Sequence, residues 1–368
     1  MHEPLYPKLI LDALSTVRYP GTGKNIVESE MIADDMRIDG RKVSFSIIFE
    51  KPTDPFIKSI IKAAEAAILT HVGADVEIKG HIAAVSRQEP AEVVKPLQGV
   101  KNIIGISSGK GGVGKSTVAA NLAVSLAAEG YKVGLLDADI FGPSVPTMFG
   151  VENAELYMHE VDGRNLIIPY EKFGVKMLSI GFLVEKNSAQ VWRGGMASRA
   201  LTQLITDADW GELDYFLIDM PPGTSDIHLT LVQTIAMTGI AVVTTPQEVA
   251  LADARRGITM FRDERINVPI LGLIENMAWF TPAPHPDEKY YIFGKEGGRK
   301  LAEELGVRLL GEVPLILDIR QHADEGEPVA MTEGMAGFCF RHIAHELIDA
   351  VDQRNNELPQ TVVVQVNK

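Results

Sequence analysis

Cysteine is almost missing from this chain: its 368 residues include one, Cys339. No disulfide can form within the chain, which fits a reducing compartment and predicts a cytoplasmic location. Long apolar runs are missing as well. No stretch approaches the roughly 20 residues that a membrane-spanning helix needs, so no membrane partner is expected. The opening MHEPLYPKLILDAL lacks the basic n-region, apolar h-region and small-residue cleavage site of a signal peptide. Dense runs of Lys and Arg are absent too. With 35 Lys+Arg against 49 Asp+Glu the formal charge is −14, which repels nucleic acid and anionic lipid in the absence of a local basic patch. Nucleic acid is therefore not an expected partner, and the charge is read as a device for solubility. There are no internal repeats and no low-complexity segment.

What is present is globular. Apolar residues make up 46% and charged residues 23%, enough for a real core, and the length suggests about two or three domains. Residues 1–86 read as a small α+β unit. An apolar stripe over Lys8–Val17 predicts a helix, and Ile26–Ile32 and Lys42–Phe49 read as strands joined by an Asp39-Gly40 hairpin signal. Asp54 and Pro55 open a predicted helix to Thr70, and Val76–Ile82 reads as a further strand. Residues 87–99, RQEPAEVVKPLQG, have linker composition.

From residue 100 to 352 the rhythm changes. Short apolar runs at Ile103–Ser107, Val133–Asp137, Val175–Ile180, Tyr215–Asp219, Ile240–Thr244, Ile270–Ile274 and Leu309–Val313 alternate with helical segments. Runs this continuous suit strands buried on both faces. The alternation predicts an α/β fold with a doubly wound, mostly parallel sheet whose ligands sit at the carboxyl ends of the strands. Residues 353–368 form a tail, polar at first and then TVVVQV, which either adds an edge strand or stays mobile.

The segment NIIGISSGKGGVGKSTVAANLAVSLA runs strand, glycine loop, helix. In such a loop main-chain N–H groups converge on a polyphosphate at the positive end of a helix. Gly109, Lys110, Gly111, Gly112, Val113, Gly114, Lys115, Ser116 and Thr117 are the candidate ATP-binding residues. Lys115 is expected to reach the β/γ-phosphates and Ser116 to ligate Mg²⁺. Gly109, Gly111 and Gly114 also spell the G-x-G-x-x-G dinucleotide fingerprint, with Asp137 placed as a ribose-binding acid. A hydride-transfer fold has no use for the Lys115-Ser116-Thr117 that follows, so the phosphate loop is the favoured reading.

Two carboxylate signals come next. LLDADIFGPS puts Asp137 and Asp139 at a strand end; as a plain structural alternative they are turn-forming aspartates before Gly142-Pro143. YFLIDMPPGTSD puts Asp219 after four apolar residues, where a carboxylate holds Mg²⁺. Gly223 in the turn beyond lets a main-chain N–H approach a γ-phosphate, and hydrolysis would then release the turn. Asn276, in LGLIENM, ends another strand and is a candidate adenine contact, with a local Asx turn as the alternative.

Lys110 within the loop resembles the signature lysine of the deviant Walker A ATPases, the MinD/ParA class. That resemblance implies a homodimer sandwiching two nucleotides, with Lys110 crossing to the partner's site and Asp139 in switch I positioning the attacking water. Lys110, Lys115 and Asp139 are then the catalytic set, and Ser116, Asp139 and Asp219 the Mg²⁺ set. DADIFGPSVP, IDMPPGTSD, ENM and IFGKEGG together resemble the Mrp/ApbC/NBP35 family across residues 100–350. Residues 1–86 resemble the MIP18-like domain often fused in front, with Tyr19-Pro20-Gly21 where that domain usually has D-P-E. The resemblance implies an ATP-dependent carrier that passes iron–sulfur clusters to apoproteins, working with assembly factors.

The chain departs from that pattern at one point. The family's C-x-x-C follows the ENM motif, and two subunits supply four thiolates to one [4Fe–4S] cluster. Here the stretch reads AWFTPAPHPDEKYYIFG, with Pro282 to His285 in that place. Cys339 lies in a helical pattern and reads as a small buried apolar residue, and His285 as an exposed loop histidine. No iron–sulfur ligands can be assigned. The aromatics Trp279, Phe280, Tyr290 and Tyr291 are candidates to pack this loop at a dimer face, or simply in the core. Two readings stay open: a cluster carrier, or an ATPase switch of the same fold that recruits proteins without holding a cluster. A MinD- or ParA-like positioning role would want a basic amphipathic helix or a basic face, whereas the last helix ends HELIDAVDQRNNE. A small-molecule ligase or kinase of this fold has no marked substrate pocket here.

Overall fold

The computed structural model describes residues 5–51, 53–86, 96–140, 142–161, 163–183, 194–282, 284–285 and 288–363. Two compact units divide the chain at residues 95 and 96. Most of the segment expected to be a linker, 87–95, lies outside the described residues, as do residues 364–368 of the tail.

The first unit contains α1 (Pro7–Leu14), β1 (Arg37–Asp39), β2 (Lys42–Phe49), α2 (Ile57–His71) and β3 (Ile82–Ser86). β2 is central, antiparallel to β1 and parallel to β3. Its alternating Val43, Phe45, Ile47 and Phe49 are buried with Ile10, Leu14, Ile60, Ala64 and Ile68 of the two helices. Two expectations are corrected. Ile26–Ile32 is not a strand: Asn25 Oδ1 accepts N–H bonds from Val27 and Glu28, folding the segment into turns, and only Ile32 bridges to Ile47. The Asp39-Gly40 hairpin instead joins β1 to β2. The last strand lies further on than Val76–Ile82: Glu77 makes an isolated bridge to Lys42, Lys79 and Gly80 turn, and β3 begins at Ile82.

In the second unit the chain runs β4 (Val100–Ser108), α3 (Lys115–Ala128), β5 (Val133–Asp137), α4 (Val145–Met148), β6 (Tyr157–Val161), β7 (Arg164–Ile168), β8 (Tyr170–Lys172), β9 (Val175–Ser179) and α5 (Gly194–Thr206). It continues through β10 (Leu213–Asp219), α6 (Asp226–Thr234), β11 (Gly239–Thr244), α7 (Glu248–Arg262), β12 (Ile270–Phe280), α8 (Gly297–Leu305), β13 (Leu309–Leu315), α9 (Leu317–Glu325) and α10 (Met335–Glu357). Among the described residues eight strands form one sheet in the order β13-β12-β11-β4-β10-β5-β9-β8. Every pairing is parallel except β8 with β9.

Helices cover both faces, so the strands lack a polar side. Leu135 and Leu217 pack into one layer with α3 and α10, and Leu136 and Ile218 into the other with α5, α6 and α7. This two-sided burial is why each predicted strand is present. The β6–β7 hairpin and the β8 edge were not foreseen. Residues 358–363 of the tail form no strand; Arg354 holds the carbonyl of Pro359 at 2.7 Å and the hydroxyl of Thr361 at 2.9 Å. Among the described residues no helix is long and apolar enough to cross a membrane.

Candidate nucleotide site

Register brings the site together. In the sheet Asp219 at the end of β10 lies beside Ile106 of β4 on one side and Asp137 of β5 on the other. The loop 109–114 leaves β4 at this edge and turns into α3, so a glycine loop, a helix start and two strand-end aspartates converge on one point. Ligands of open α/β sheets bind at such an edge.

Gly114 and Gly109 show why the loop needs glycine. Gly114 adopts φ +82°, in the left-handed region, and a Cβ there would collide with Asn276 Nδ2. A Cβ on Gly109 would run into the Asp253–Ala254 peptide of α7, so Gly109 serves the close approach of that helix. Val113 is buried and its carbonyl accepts a hydrogen bond of 2.8 Å from Asn276 Nδ2. Asn276 therefore braces the loop, in place of the Asx turn weighed from sequence. Thr117 is half-buried, and its carbonyl accepts from Asn121, whose Oδ1 takes the Ala330 N–H. Gly111 and Gly112 are exposed, and Lys110 is half-buried with no ion pair among the described residues.

Lys115 is 6% exposed and points into the site, with its ammonium 2.5 Å from Asp219 Oδ1, 3.7 Å from Asp139 Oδ2 and 3.4 Å from the Ser116 hydroxyl. Asp219 is fully buried; burial raises its pKa, against the pull of Lys115 and Ser116. Asp137 is held from three sides, by the Ser179 hydroxyl at 2.9 Å and the N–H groups of Asp139 and Val145, each at 3.2 Å. Burial first, and then the charge of Asp219, pushes its pKa up to about 8. The Gly223 N–H, expected to face a γ-phosphate, donates to the Ser108 carbonyl at 2.8 Å.

Two buried carboxylate oxygens have no hydrogen-bond partner, Asp139 Oδ1 and Asp219 Oδ2. Leaving such atoms unpaired is costly, and both flank the same lysine beside a serine hydroxyl. Mg²⁺ is usually held by one or two carboxylates plus water and phosphate oxygens. The donor set of Ser116, Asp139 and Asp219 fits that ion.

Three residues of the site were missed from the sequence. Ser179 secures Asp137, and Asn121 ties α3 to the turn at Ala330. His228, 1% exposed in the first turn of α6, accepts the Ser225 N–H at 3.1 Å on Nδ1, with the Ser225 hydroxyl also 3.1 Å away. Its Nε2 has no partner, and burial lowers its pKa to about 4. The signal for it was present: Ser225 with a hydrogen-bonding residue three positions on is a capping box.

Phe280 and Tyr290 exchange two main-chain hydrogen bonds of 2.8 Å, and the Lys289 ammonium lies 3.9 Å from the Trp279 ring centre. Trp279 and Phe280 are half-buried, Tyr290 and Tyr291 exposed. His285 is exposed and 3.5 Å from Glu288, while Ala283 lies outside the described residues. Cys339 is buried in α10, and burial raises its thiol pKa, which opposes the thiolate a metal requires. Among the described residues no group of three or more His, Cys, Asp or Glu is placed to hold a metal. A four-thiolate cluster does not fit the residues of this chain.

A glycine loop at the carboxyl edge of a parallel sheet, an inward lysine and two strand-end carboxylates define a P-loop NTPase. Residues 99–348 match the family described as NUBPL iron-transfer P-loop NTPase, and residues 8–79 the family described as iron–sulfur cluster assembly protein. The chain is 44% identical over 326 residues to an iron–sulfur cluster carrier protein of Synechocystis, covering 88% of this chain and 91% of that one. It is 41% identical to an iron–sulfur cluster carrier protein of Deinococcus radiodurans, covering 96% of this chain and 99% of that one. A solved nucleotide-binding protein from Archaeoglobus fulgidus in complex with ADP matches with a TM-score of 0.54 and 37% identity, over 63% of this chain and 88% of that one. The chain belongs to the NUBPL-type iron-transfer P-loop NTPase family.

Proposed function

We propose that this chain binds and hydrolyses ATP with Mg²⁺ to drive the assembly or transfer of iron–sulfur clusters to apoproteins, as a cytoplasmic homodimer. Two domains serve this role: residues 1–86 as a MIP18-like unit and 100–352 as the ATPase, joined by 87–99 and followed by the tail 353–368. The observation that carries the reading is the Lys115 ammonium held between Asp219 and Asp139, beside Ser116 and two unpartnered carboxylate oxygens. Mg²⁺ and the triphosphate supply the electrophilic phosphorus and its charge neutralisation. The protein's part is positioning. Lys115 gives up Asp219 for the β/γ-phosphates; Ser116, Asp139 and Asp219 would hold the ion, and Asp139 also orients the attacking water. The Gly223 N–H leaves the Ser108 carbonyl for the γ-phosphate. Lys110 reaches the partner subunit's nucleotide, and Asn276 contacts the adenine.

A specific observation favours a second form of this reading. Cys339 is the sole thiol and is buried, so the chain acts as the nucleotide switch while a partner's thiolates hold the cluster. Anaerobic reconstitution with iron and sulfide separates the two forms. Iron and acid-labile sulfide bound per dimer with a visible-region cluster spectrum supports the carrier, and their absence beside active ATP hydrolysis supports the switch. A chain with neither cluster nor ATPase activity refutes both.

A further inference from the structure

Between Asp219 and α6 the chain runs Met220-Pro221-Pro222-Gly223-Thr224-Ser225. Proline has no N–H, so after Met220 the next donor is Gly223. This turn is held at three points. The Met220 N–H donates to the Ile106 carbonyl at 3.0 Å, the Gly223 N–H to the Ser108 carbonyl at 2.8 Å, and the Ser225 N–H to His228 Nδ1 at 3.1 Å. The middle tie is the one that a γ-phosphate would take over.

His228 is a fixed point beside this turn. Ile227, Leu231 and Val232 hold α6 in the core, and the imidazole centre stands 6.1 Å from the ring of Phe261 on α7. Burial keeps the imidazole neutral. Because Nδ1 accepts the Ser225 N–H, the one ring proton sits on Nε2. The side chain is 1% exposed, and Nε2 has no hydrogen-bond partner among the described residues. A buried donor without an acceptor is costly, and capping α6 uses only Nδ1. The Pro221 carbonyl is near enough to favour a proton on the ring, yet it makes no hydrogen bond to Nε2.

We propose that His228 is a positioning residue for the ATP-bound turn: as the Gly223 N–H passes from the Ser108 carbonyl to the γ-phosphate, the Pro221 carbonyl closes onto the His228 Nε2–H. The proposal rests on the ATPase reading and adds to it the group that holds the switched turn. A bond made only in the triphosphate state favours ATP over ADP, since a ligand shifts an equilibrium only by its differential affinity for the two states. A ring that merely capped α6 would serve both nucleotides alike.

The full chain, His228→Phe and His228→Gln are titrated with Mg²⁺ and either ADP or a non-hydrolysable ATP analogue, with thermal unfolding as the control for folding. Phenylalanine fills the space and removes both nitrogens. Glutamine keeps an acceptor for Ser225 and an N–H beyond it. His228→Phe is expected to bind ADP as the parent does, the analogue about tenfold more weakly, and to turn ATP over more slowly; His228→Gln should recover most of both losses. Equal losses for the two nucleotides, or no loss, would overturn the proposal. The parent gives a second reading. With isotopically labelled histidine, the Nε2–H resonance that disappears in His228→Gln should move downfield with the analogue and not with ADP. A resonance that ignores the analogue would also overturn the proposal. A parent that binds neither nucleotide would end the ATPase reading and this proposal together, whereas a parent that binds both and is matched by His228→Phe would end this proposal alone.

Discussion

Replacing Lys115 with alanine tests the site before any nucleotide is added. In the folded chain its ammonium stands 2.5 Å from a fully buried carboxylate, and the other oxygen of Asp219 has no partner. Deleting the lysine leaves Asp219 two choices. It stays ionised without compensation, which for broken buried pairs costs about 3–5 kcal/mol, or it takes up a proton. Protonation sets the ceiling. An unfolded aspartate titrates near 3.9, so keeping a neutral carboxyl at pH 7 costs about 1.4 kcal/mol for each of roughly three pH units, or about 4 kcal/mol. The sign follows from the raised pKa. A folded state that holds a proton the unfolded chain has released loses stability as pH rises from the unfolded pKa toward the folded one. Lys115→Ala is therefore expected to be close to parental stability near pH 4. Because burial raises the Asp219 pKa in the parent as well, the variant should fall behind only above the pH at which the parental Asp219 releases its proton, by up to about 1.4 kcal/mol per pH unit. Urea unfolding in chelator, repeated across that range, reads the difference, and adding Asp219→Asn should recover most of it. A deficit that does not change with pH, or no deficit, would refute the electrostatic account of this pair. The same variant is expected to lose ATP binding.

Other outcomes follow from the same geometry. Asp139→Ala should keep ATP but hydrolyse it roughly a hundredfold more slowly, as expected when a positioning group is removed; parental turnover would remove Asp139 from the mechanism. Lys110→Ala should weaken ATP-induced dimerisation in light scattering, and an unchanged monomer–dimer balance would count against its signature role. Gly114→Ala forces a side chain into left-handed backbone and against Asn276, and should cost about 1–3 kcal/mol in chemical unfolding. Burial holds the His228 pKa down to about 4, so the unfolded chain takes up a proton first as pH falls below about 6.5. That drains roughly 3 kcal/mol of stability by pH 4, and His228→Gln should flatten this acid-side loss in thermal unfolding.

The sheet was legible because Leu135, Leu136, Leu217 and Ile218 are buried on both faces and leave unbroken apolar runs. Ile26–Ile32 misled for the opposite reason. Its apolar residues fit a strand, but Asn25 offers the main chain a competing set of turn hydrogen bonds. The β6–β7 hairpin was missed because Tyr157, Ile168 and Ile167 put apolar groups on both of its faces, which hides the alternation of a surface strand. At the site, the chemistry-bearing residues were readable from short motifs. Their supports were not: Asn276 reaches Val113 across 163 positions and Ser179 reaches Asp137 across 42, pairings that only the parallel register creates.

The central claim is that triphosphate and Mg²⁺ occupy the space between the loop 109–117 and the aspartates at the strand ends. A crystal structure grown with a non-hydrolysable ATP analogue and Mg²⁺ tests it most directly. The account predicts Lys115 on the phosphates, the ion on Ser116 with Asp219 beside it, and the Gly223 N–H released from Ser108. An empty loop with Lys115 still resting on Asp219 would contradict it.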